Sequence, residues 1–465
     1  MIPRDHIIYV SINIDDVVTK RVHSNLEKSG KDLLKVAFET HGCKLNKADS
    51  QVLSNEFAAS GFIEVDTARE ADVFVLNTCT VTHVADKKGR QSARAAKRSN
   101  PSAFVLVTGC YAQRDRRALE EIPEIDMVLG NEDKSSIVSK VLENLPNASD
   151  STSDNYLLFD LPAPFMNKTV NRRMIKIQEG CDQVCSYCIV PKVRGRERSI
   201  PTQKLVTDVN HASSLGAKEV VLTGTQLGSY GFDLNDNSLS KMVKTLLDSC
   251  DIERIRISSI QPQEFTDELL FLWKDKRMCP HFHIPLQSGS NKILKSMRRR
   301  YTSEEYIEAI EGVRARVPNA AITTDVIVGY PSETDQDFRL TTEICDQVRF
   351  TDVHVFKYSA RPGTTARYFD DSVPSHIKSE RSRKLIDLSR KYSCEFRREN
   401  VGKEAKVLWE KTNSSILEQK KIFSGLTENY LRVYCESRAD LIGSITSVLI
   451  KQYDESSNTL MVDIA

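Results

Sequence analysis

Short apolar runs alternate with amphipathic stretches along most of the chain. KVAFET, ADVFVLNTC and AFVLVTGC are nearly continuous apolar segments, the pattern of strands buried on both faces of a parallel sheet. Between them DSQVLSNEFAASG has helical period and stops at Gly61, and a basic helix follows NTC. This alternation predicts an open parallel α/β domain over residues 33–145. The next stretch is rich in Asn, Ser, Asp and Pro and lacks period, so 146–168 reads as an interdomain linker. From Arg173 the alternation resumes, with RMIKIQEGC, KEVVLTGTQLGSYG, RIRISSIQP, HFHIPLQSGS, AAITTDVIVGYPSET and FTDVHVFKYSARPGT as strands and helices such as SEEYIEAIEGVRARV between them. Six strand–helix repeats predict a partial (β/α)6 barrel over 169–398. Beyond Val401, EAKVLWE, KKIFSGLT, LRVYCES, SITSVLIKQYD and TLMVDIA predict five short antiparallel strands closing into a small β-barrel of the oligonucleotide-binding kind, residues 399–465. Residues 1–32 form an extension to which no function is assigned; HIIYVSINI within it reads as one strand.

With 465 residues and 40% apolar content, three such domains can each bury a core. A formal net charge of +1 excludes a global field that would draw in nucleic acid, so any RNA contact must use local patches. Two stand out. Lys87, Lys88, Arg90, Arg94, Lys97 and Arg98 crowd one helix with no acid among them, and Arg397 and Arg398 precede the last domain, where Lys403 adds charge and Tyr430 a stacking face. No run approaches membrane-spanning length, and the early apolar run IIYVSINI is too short for a span or a signal. Eleven cysteines, an odd number and several set singly among apolar residues, point to a reducing cytoplasm with thiols kept for metal.

Those cysteines carry the chemistry. CDQVCSYC places Cys181, Cys185 and Cys188 on one loop. Three thiolates hold three corners of a [4Fe–4S] cube and leave the fourth iron open to a small chelating molecule; zinc would want a fourth Cys or His nearby, and none follows. Cys43, Cys79 and Cys110 each fall at the carboxyl end of a predicted strand, beside Gly42, Thr78 and Gly109. In open α/β sheets ligands bind along that edge, so the three converge on one crevice as a second three-thiolate site. In the barrel the polar residues Thr223, Gln226, Ser258, Ser259, Gln287, Ser288 and Asp325 also fall at strand ends, and Gly224, Gly228, Gly289 and Gly329 let backbone approach a ligand closely.

The order HGCKLNKADS, NTCTVTHVADKKGRQ, VTGCYAQ, CDQVCSYC, TGTQLGSYG, HIPLQSGS, TTDVIVGYPSET and FKYSARPGT resembles the radical S-adenosylmethionine (radical SAM) methylthiotransferases from about residue 35 to the end. The last segment is similar to a TRAM barrel. The spellings GCK and NTCTVTHVAD are most like the tRNA enzymes acting on N6-threonylcarbamoyladenosine. Departures are small: Asp49 stands where the family more often has Glu, GYPSET replaces GFPGET, and residues 1–32 have no counterpart. The resemblance implies two [4Fe–4S] clusters and S-adenosyl-L-methionine (SAM) as cofactors. Cys181, Cys185 and Cys188 would hold the cluster that cleaves SAM to a 5′-deoxyadenosyl radical; Cys43, Cys79 and Cys110 would hold an auxiliary cluster carrying sulfur. Tyr187, Thr223, Gly224, Gln226, Ser259, Gln287, Ser288 and Asp325 would line the SAM site. The substrate would be the anticodon loop of a tRNA, methylthiolated at C2 of the adenosine at position 37, with a flavodoxin- or ferredoxin-type electron donor and a sulfur source as further partners. Alternatives are isopentenyladenosine in tRNA, a ribosomal-protein side chain, or a non-catalytic iron–sulfur RNA-binding protein.

Overall fold

In the computed structural model, residues 34–145, 171–235, 237–417 and 420–464 are described. The extension over 1–32 and the linker over 146–168, with the strand expected in HIIYVSINI, lie outside them. In the first domain β1 (Lys35–Thr40), β2 (Ile63–Glu64), β3 (Val73–Thr78), β4 (Phe104–Gly109) and β5 (Met127–Val128) form one sheet in the order β2-β1-β3-β4-β5. Every neighbouring pair is parallel. β3 is buried along its whole length, which is why ADVFVLNTC carries no polar alternation. The strand order reverses direction between β1 and β3, and there the carboxyl ends of adjacent strands open a crevice.

The second domain begins with β6 (Arg172–Lys176); β7 (Gln178–Glu179) and β8 (Arg198–Ser199) clip the base of the cysteine loop. Then follow β9 (Glu219–Thr223), β10 (Arg254–Ile257), β11 (His281–His283), β12 (Ala321–Val328) and β13 (Asp352–Lys357). Two parallel three-stranded sheets, β6-β9-β10 and β11-β12-β13, are joined by parallel bridges Ile255–Met278 and Ser259–His283. The result is the expected six-stranded partial barrel, open between β6 and β13. Apolar side chains such as Leu205, Val209, Met242 and Leu246 cover one half of it, and Tyr306, Ile310, Phe338 and Leu385 the other.

The third domain is a closed barrel of β14 (Glu404–Leu417), β15 (Lys420–Thr427), β16 (Arg432–Ser437), β17 (Ile445–Asp454) and β18 (Thr459–Ile464) in the order β14-β15-β16-β18-β17. The sequence led us to expect antiparallel strands throughout, but β16 and β18 pair parallel. Closure explains this: β17 returns to β14, which leaves β18 to fill the gap beside β16 in the direction the chain already runs. Trp409, fully buried, fills the centre with Val407, Phe423 and Val433.

One charge cluster locks the first domain to the second. Asp49, on the helix Lys44–Ala59, is buried and meets Lys134 at 2.5 Å, Lys176 at 2.9 Å and Arg194 at 3.0 Å. Lys134 belongs to its own domain, whereas Lys176 ends β6 and Arg194 ends the short helix after the cysteine loop. Glu179 completes the set, 2.8 Å from Arg194 and 3.1 Å from Lys176. Burial alone would raise the Asp49 carboxyl, but Lys134, Arg194 and Lys176 outweigh it and hold it well below the ordinary range. The shorter side chain that departs from the family's habit therefore sits at a crowded ionic junction. Removing a buried charge from a hydrogen-bonded cluster leaves its partners uncompensated, so Asp49→Asn should cost about 3–5 kcal/mol. Because the folded carboxyl is depressed, this contribution is complete above about pH 4 and fades as pH falls toward the folded value. Thermal unfolding of the wild type and D49N at pH 7 and at about pH 3 checks it: the gap between the two proteins narrows at the lower pH.

Candidate active site

Cys43 precedes the helix Lys44–Ala59, Cys79 follows β3, and Cys110 begins the helix Cys110–Arg114 directly after β4. The loops touch. Gly42 has φ +94°, and a side chain there would place its Cβ 2.7 Å from Cys79 Cβ; Gly109 has φ +93°, and its Cβ would fall 2.5 Å from the Thr78 carbonyl. Only glycine allows both turns this left-handed backbone and this approach. Asn46 ties the loops together, donating from Nδ2 to the carbonyls of His41 (2.8 Å) and Thr78 (3.0 Å). Asn131 Nδ2 approaches Cys110 Sγ at 3.8 Å. Burial pushes the Cys79 thiol up to about 12, with the neighbouring Cys110 and Cys43 adding to the rise.

On the other side, burial pushes Cys181 up to about 11 and Cys188 up to about 12, each also raised by its companions on the loop. Thiols so protonated are poor nucleophiles; metal binding would displace the protons and make them ligands. The donor chemistry fits a [4Fe–4S] cluster at both sites: within each set the thiols are near enough to raise one another's proton affinity, and all six cysteines are free. The sites are close neighbours, since Cys110 packs against Ile189 and Val193, the residues that continue the Cys188 loop.

A cavity of about 210 Å³ lies beside Cys188, between its loop and the segment that follows Cys79. Its walls come from Val81 and Thr82 just after Cys79, from Tyr187 to Val190 around Cys188, from Gln287, Asp325 and Ile327 at barrel strand ends, and from the Phe356–Ser359 segment. Arg361 anchors this arrangement: its guanidinium, buried, bonds Thr80 Oγ1 (2.8 Å) and Asp86 (2.5 Å) and so pins the Cys79 loop to the barrel.

The residues assigned to the SAM site separate into groups. Tyr187, Gln287 and Asp325 line the cavity. Thr223 ends β9, and Gly224 lies so close to Gln178 that a Cβ would meet its carbonyl at 2.9 Å. Gln226 sits in a polar cluster with Gln261 and Glu264. Ser259 bonds His283 Nδ1 at 2.7 Å. Ser258 is buried on β10's end, and Ser288 turns toward Thr341 (3.5 Å), away from the cavity.

Several contacts around the site, including the partners of the expected Asp325, escaped the sequence. Arg299, in the middle of an arginine run, alone of the three turns inward: it approaches Cys185 Sγ at 3.4 Å and Gln261 Oε1 at 2.7 Å. Burial pushes the Glu264 carboxyl up to about 7 beside it. Asp325 is clamped between His283 and His354, each 3.1 Å from Oδ1. Lys44, next to Cys43, is driven down to about 8 by burial and by Arg256 and Arg172. Spacing gives no signal for these, because each depends on what the fold brings opposite.

The expected RNA-facing residues also divide. Lys87, Lys88 and Arg94 are exposed on the helix His83–Ser99, while Arg90 turns back to Tyr111 Oη at 2.7 Å. Arg398 is exposed but ion-paired with Glu455 at 2.6 Å, and Arg397 folds along its own helix onto the Ser393 carbonyl at 3.0 Å. Tyr430 offers no free stacking face: its ring stacks on His281 at 4.4 Å, with Arg256 above it at 4.8 Å. This corrects the reading of Tyr430 as an RNA-stacking residue. The loop between β15 and β16 inserts it into the floor of the barrel.

Comparison with known proteins settles the family. Residues 35–130 match the family model described as uncharacterized protein family UPF0004, and 175–345 match the radical SAM superfamily. The threonylcarbamoyladenosine tRNA methylthiotransferase MtaB of Aquifex aeolicus is 39% identical over 90% of this chain and 100% of its own length. The chain belongs to the radical SAM methylthiotransferases. MtaB of Bacillus subtilis is 36% identical, covering 89% of this chain and 93% of its own. The tRNA-2-methylthio-N(6)-dimethylallyladenosine synthase of Dictyoglomus thermophilum is also 36% identical, over 89% and 95%. Among solved structures, the radical SAM methyltransferase TsrM from Kitasatospora setae shares the fold at a TM-score of 0.50 and 13% identity, covering 83% of this chain and 79% of that one. Membership brings SAM and [4Fe–4S] clusters as cofactors, in accord with the two cysteine sets.

If the two sites are independent, changing Cys181, Cys185 and Cys188 together to Ala should remove about half the iron and abolish SAM cleavage. Changing Cys43, Cys79 and Cys110 should remove the other half. Iron analysis of the reconstituted proteins reads this directly; loss of all iron from a folded triple variant contradicts it.

Proposed function

We infer that this chain inserts a methylthio group at C2 of N6-threonylcarbamoyladenosine in the anticodon loop of tRNA. The observation that supports the chemistry is that the segment after Cys79 and the loop around Cys188 wall one cavity, with Cys110 packed against the continuation of the Cys188 loop, and the MtaB relatives span nearly the whole chain at up to 39% identity. When bound, the clusters and SAM supply the homolytic chemistry and the sulfur that an unactivated aromatic C–H requires. The protein supplies placement. Tyr187, Gln287 and Asp325 face the cavity, Arg361 and Asp49 keep its two walls in register, and Ile189 and Val193 exclude water between the sites. Within this reading Thr223, Gly224, Gln226 and Ser259 hold SAM with Tyr187.

The cavity rim suits a splayed loop nucleotide. Val81 and Phe356 line it and are exposed, 49% and 40%, and offer apolar faces to a base that has left its stack. The helix His83–Ser99 starts at this rim and carries Lys87, Lys88 and Arg94 outward along a path for the RNA backbone. Among the described residues no helix is long and apolar enough to cross a membrane. We place the enzyme in the cytoplasm, with a flavodoxin- or ferredoxin-type protein as electron donor and a separate sulfur source.

Two measurements test this. Cys79→Ala breaks the first site and leaves CDQVCSYC intact. With SAM, a strong reductant and substrate tRNA, it should still release 5′-deoxyadenosine, yet nucleoside mass spectrometry should find no methylthio product. A folded variant that gives product near wild-type yield excludes the first site as sulfur carrier. For the RNA path, Lys87→Ala with Lys88→Ala should weaken tRNA binding and reduce the slope of log affinity against log salt by roughly 1–2. Arg398→Ala, whose charge Glu455 already neutralises, should change the slope less.

A further inference from the structure

Cationic side chains crowd the inside of the barrel above Tyr430, and each but one has a carboxylate. Arg256 lies 2.8 Å from Glu219, Arg254 3.6 Å from the same carboxylate, and Arg172 3.2 Å from Glu410. Asp325 is taken by His283 and His354. Lys44 is the exception. It is the first residue of the helix that follows Cys43, and its ammonium enters the barrel from the open side, 5.8 Å from the centre of the Tyr430 ring. Among the described residues it has neither a hydrogen bond nor an ion pair. The flanking Arg172 and Arg256 make the position more positive still.

Arg256 and Arg172 repel this ammonium, and Glu219 and Asp325 attract it only from beyond ion-pair distance, each already engaged by other cations. The position therefore favours an anion that arrives from outside. The substrate class inferred above brings one. The threonylcarbamoyl group ends in a carboxylate a few bonds from the adenine ring, whereas a dimethylallyl group is wholly apolar. C2 must approach the thiol site of Cys43, Cys79 and Cys110, so the N6 substituent on the same ring stays near that wall. Lys44 shares a turn with Cys43. We propose that Lys44 receives the threonine carboxylate of the substrate nucleoside and so distinguishes it from adenosines with an apolar N6 group. An apolar substituent would leave the ammonium unpaired and desolvated, which makes rejection as well as attraction part of the device. Sequence identity separates the two only narrowly, since relatives named for threonylcarbamoyladenosine stand at 34% to 39% and those named for dimethylallyladenosine at 34% to 36%.

The inference rests on the threonylcarbamoyladenosine reading, and the test separates the two. Anticodon stem-loop RNAs would carry N6-threonylcarbamoyladenosine, its carboxyl methyl ester, or N6-dimethylallyladenosine. Cluster-loaded wild type, Lys44→Gln and Lys44→Arg would be compared by binding anisotropy and by methylthio product. Wild type should bind the acid roughly 10- to 100-fold more tightly than the ester, in line with losing one partner of a desolvated charge pair. K44Q should bind acid and ester alike, near the wild-type value for the ester, and K44R should restore most of the preference. A K44Q protein that keeps the wild-type acid-to-ester ratio overturns the proposal. So does a wild type that does not distinguish the two RNAs, a result that needs no variant and is immune to misfolding. If K44Q loses iron, the wild-type ratio and its retention in K44R decide the matter, and a K44R protein with no preference counts against it. Failure of the parent reading looks different: wild type would methylthiolate the dimethylallyl RNA and leave the threonylcarbamoyl RNA unmodified.

Discussion

Two cysteine-bearing loops from different domains meet along one seam, and a buried carboxylate fixes much of its register. Asp49 gathers Lys134, Lys176 and Arg194, so the helix after Cys43, the end of β6 and the helix after Cys188 share one ionic junction. Buried ion pairs seldom add much net stability over apolar packing, because desolvation offsets the attraction. Their use here is directional. Apolar surfaces slide with little penalty, whereas a carboxylate held by three cations with defined hydrogen bonds permits one register. The apolar contact of Cys110 with Ile189 and Val193 adds the complementary part, closing the seam against water.

The same device recurs at the other end of the barrel, between the second and third domains. Arg256, fully buried on Glu219, also donates to the Glu428 carbonyl at 3.0 Å; Arg254 reaches the carbonyls of Leu426 (3.1 Å) and Lys406 (2.6 Å). Tyr430, at φ 72°, stacks on His281 between them. A six-stranded barrel leaves its floor and one flank uncovered. The β15–β16 loop closes the floor and the first domain's helix closes the flank, so each neighbour completes the barrel while bringing a functional element to it.

Much of this was legible because strands buried on both faces must be apolar throughout. KVAFET, ADVFVLNTC and AFVLVTGC could hardly be anything else, and cysteines at their ends had to meet wherever a parallel sheet placed those ends. The five runs after Val401 announced a barrel for the same reason of period. What stayed hidden depends on partners remote in the chain. Nothing local marks Arg299 rather than Arg298 or Arg300 as the arginine that faces Cys185, or Asp49 as a hub. Tyr430 beside basic residues reads as an exposed stacking face until the fold puts His281 against it. The parallel pairing of β16 with β18 is a property of closure, which no single strand records. Arg398 looked free because Glu455 is far along the sequence.

The cations inside the barrel follow a common logic with the ions at its seams. At each seam the protein supplies both signs: Asp49 for three cations, Glu219 for two arginines, Asp86 for Arg361. Inside the chamber the supply is incomplete, since Lys44 points inward without a carboxylate among the described residues. A fold that balances its buried charges at both domain junctions and leaves one open at the reacting centre has separated two tasks. Balanced charges fix geometry, and the unbalanced one is available to a substrate. The imbalance falls on the side chain next to Cys43, where the first domain closes the flank of the barrel, and not at either junction that holds the domains together.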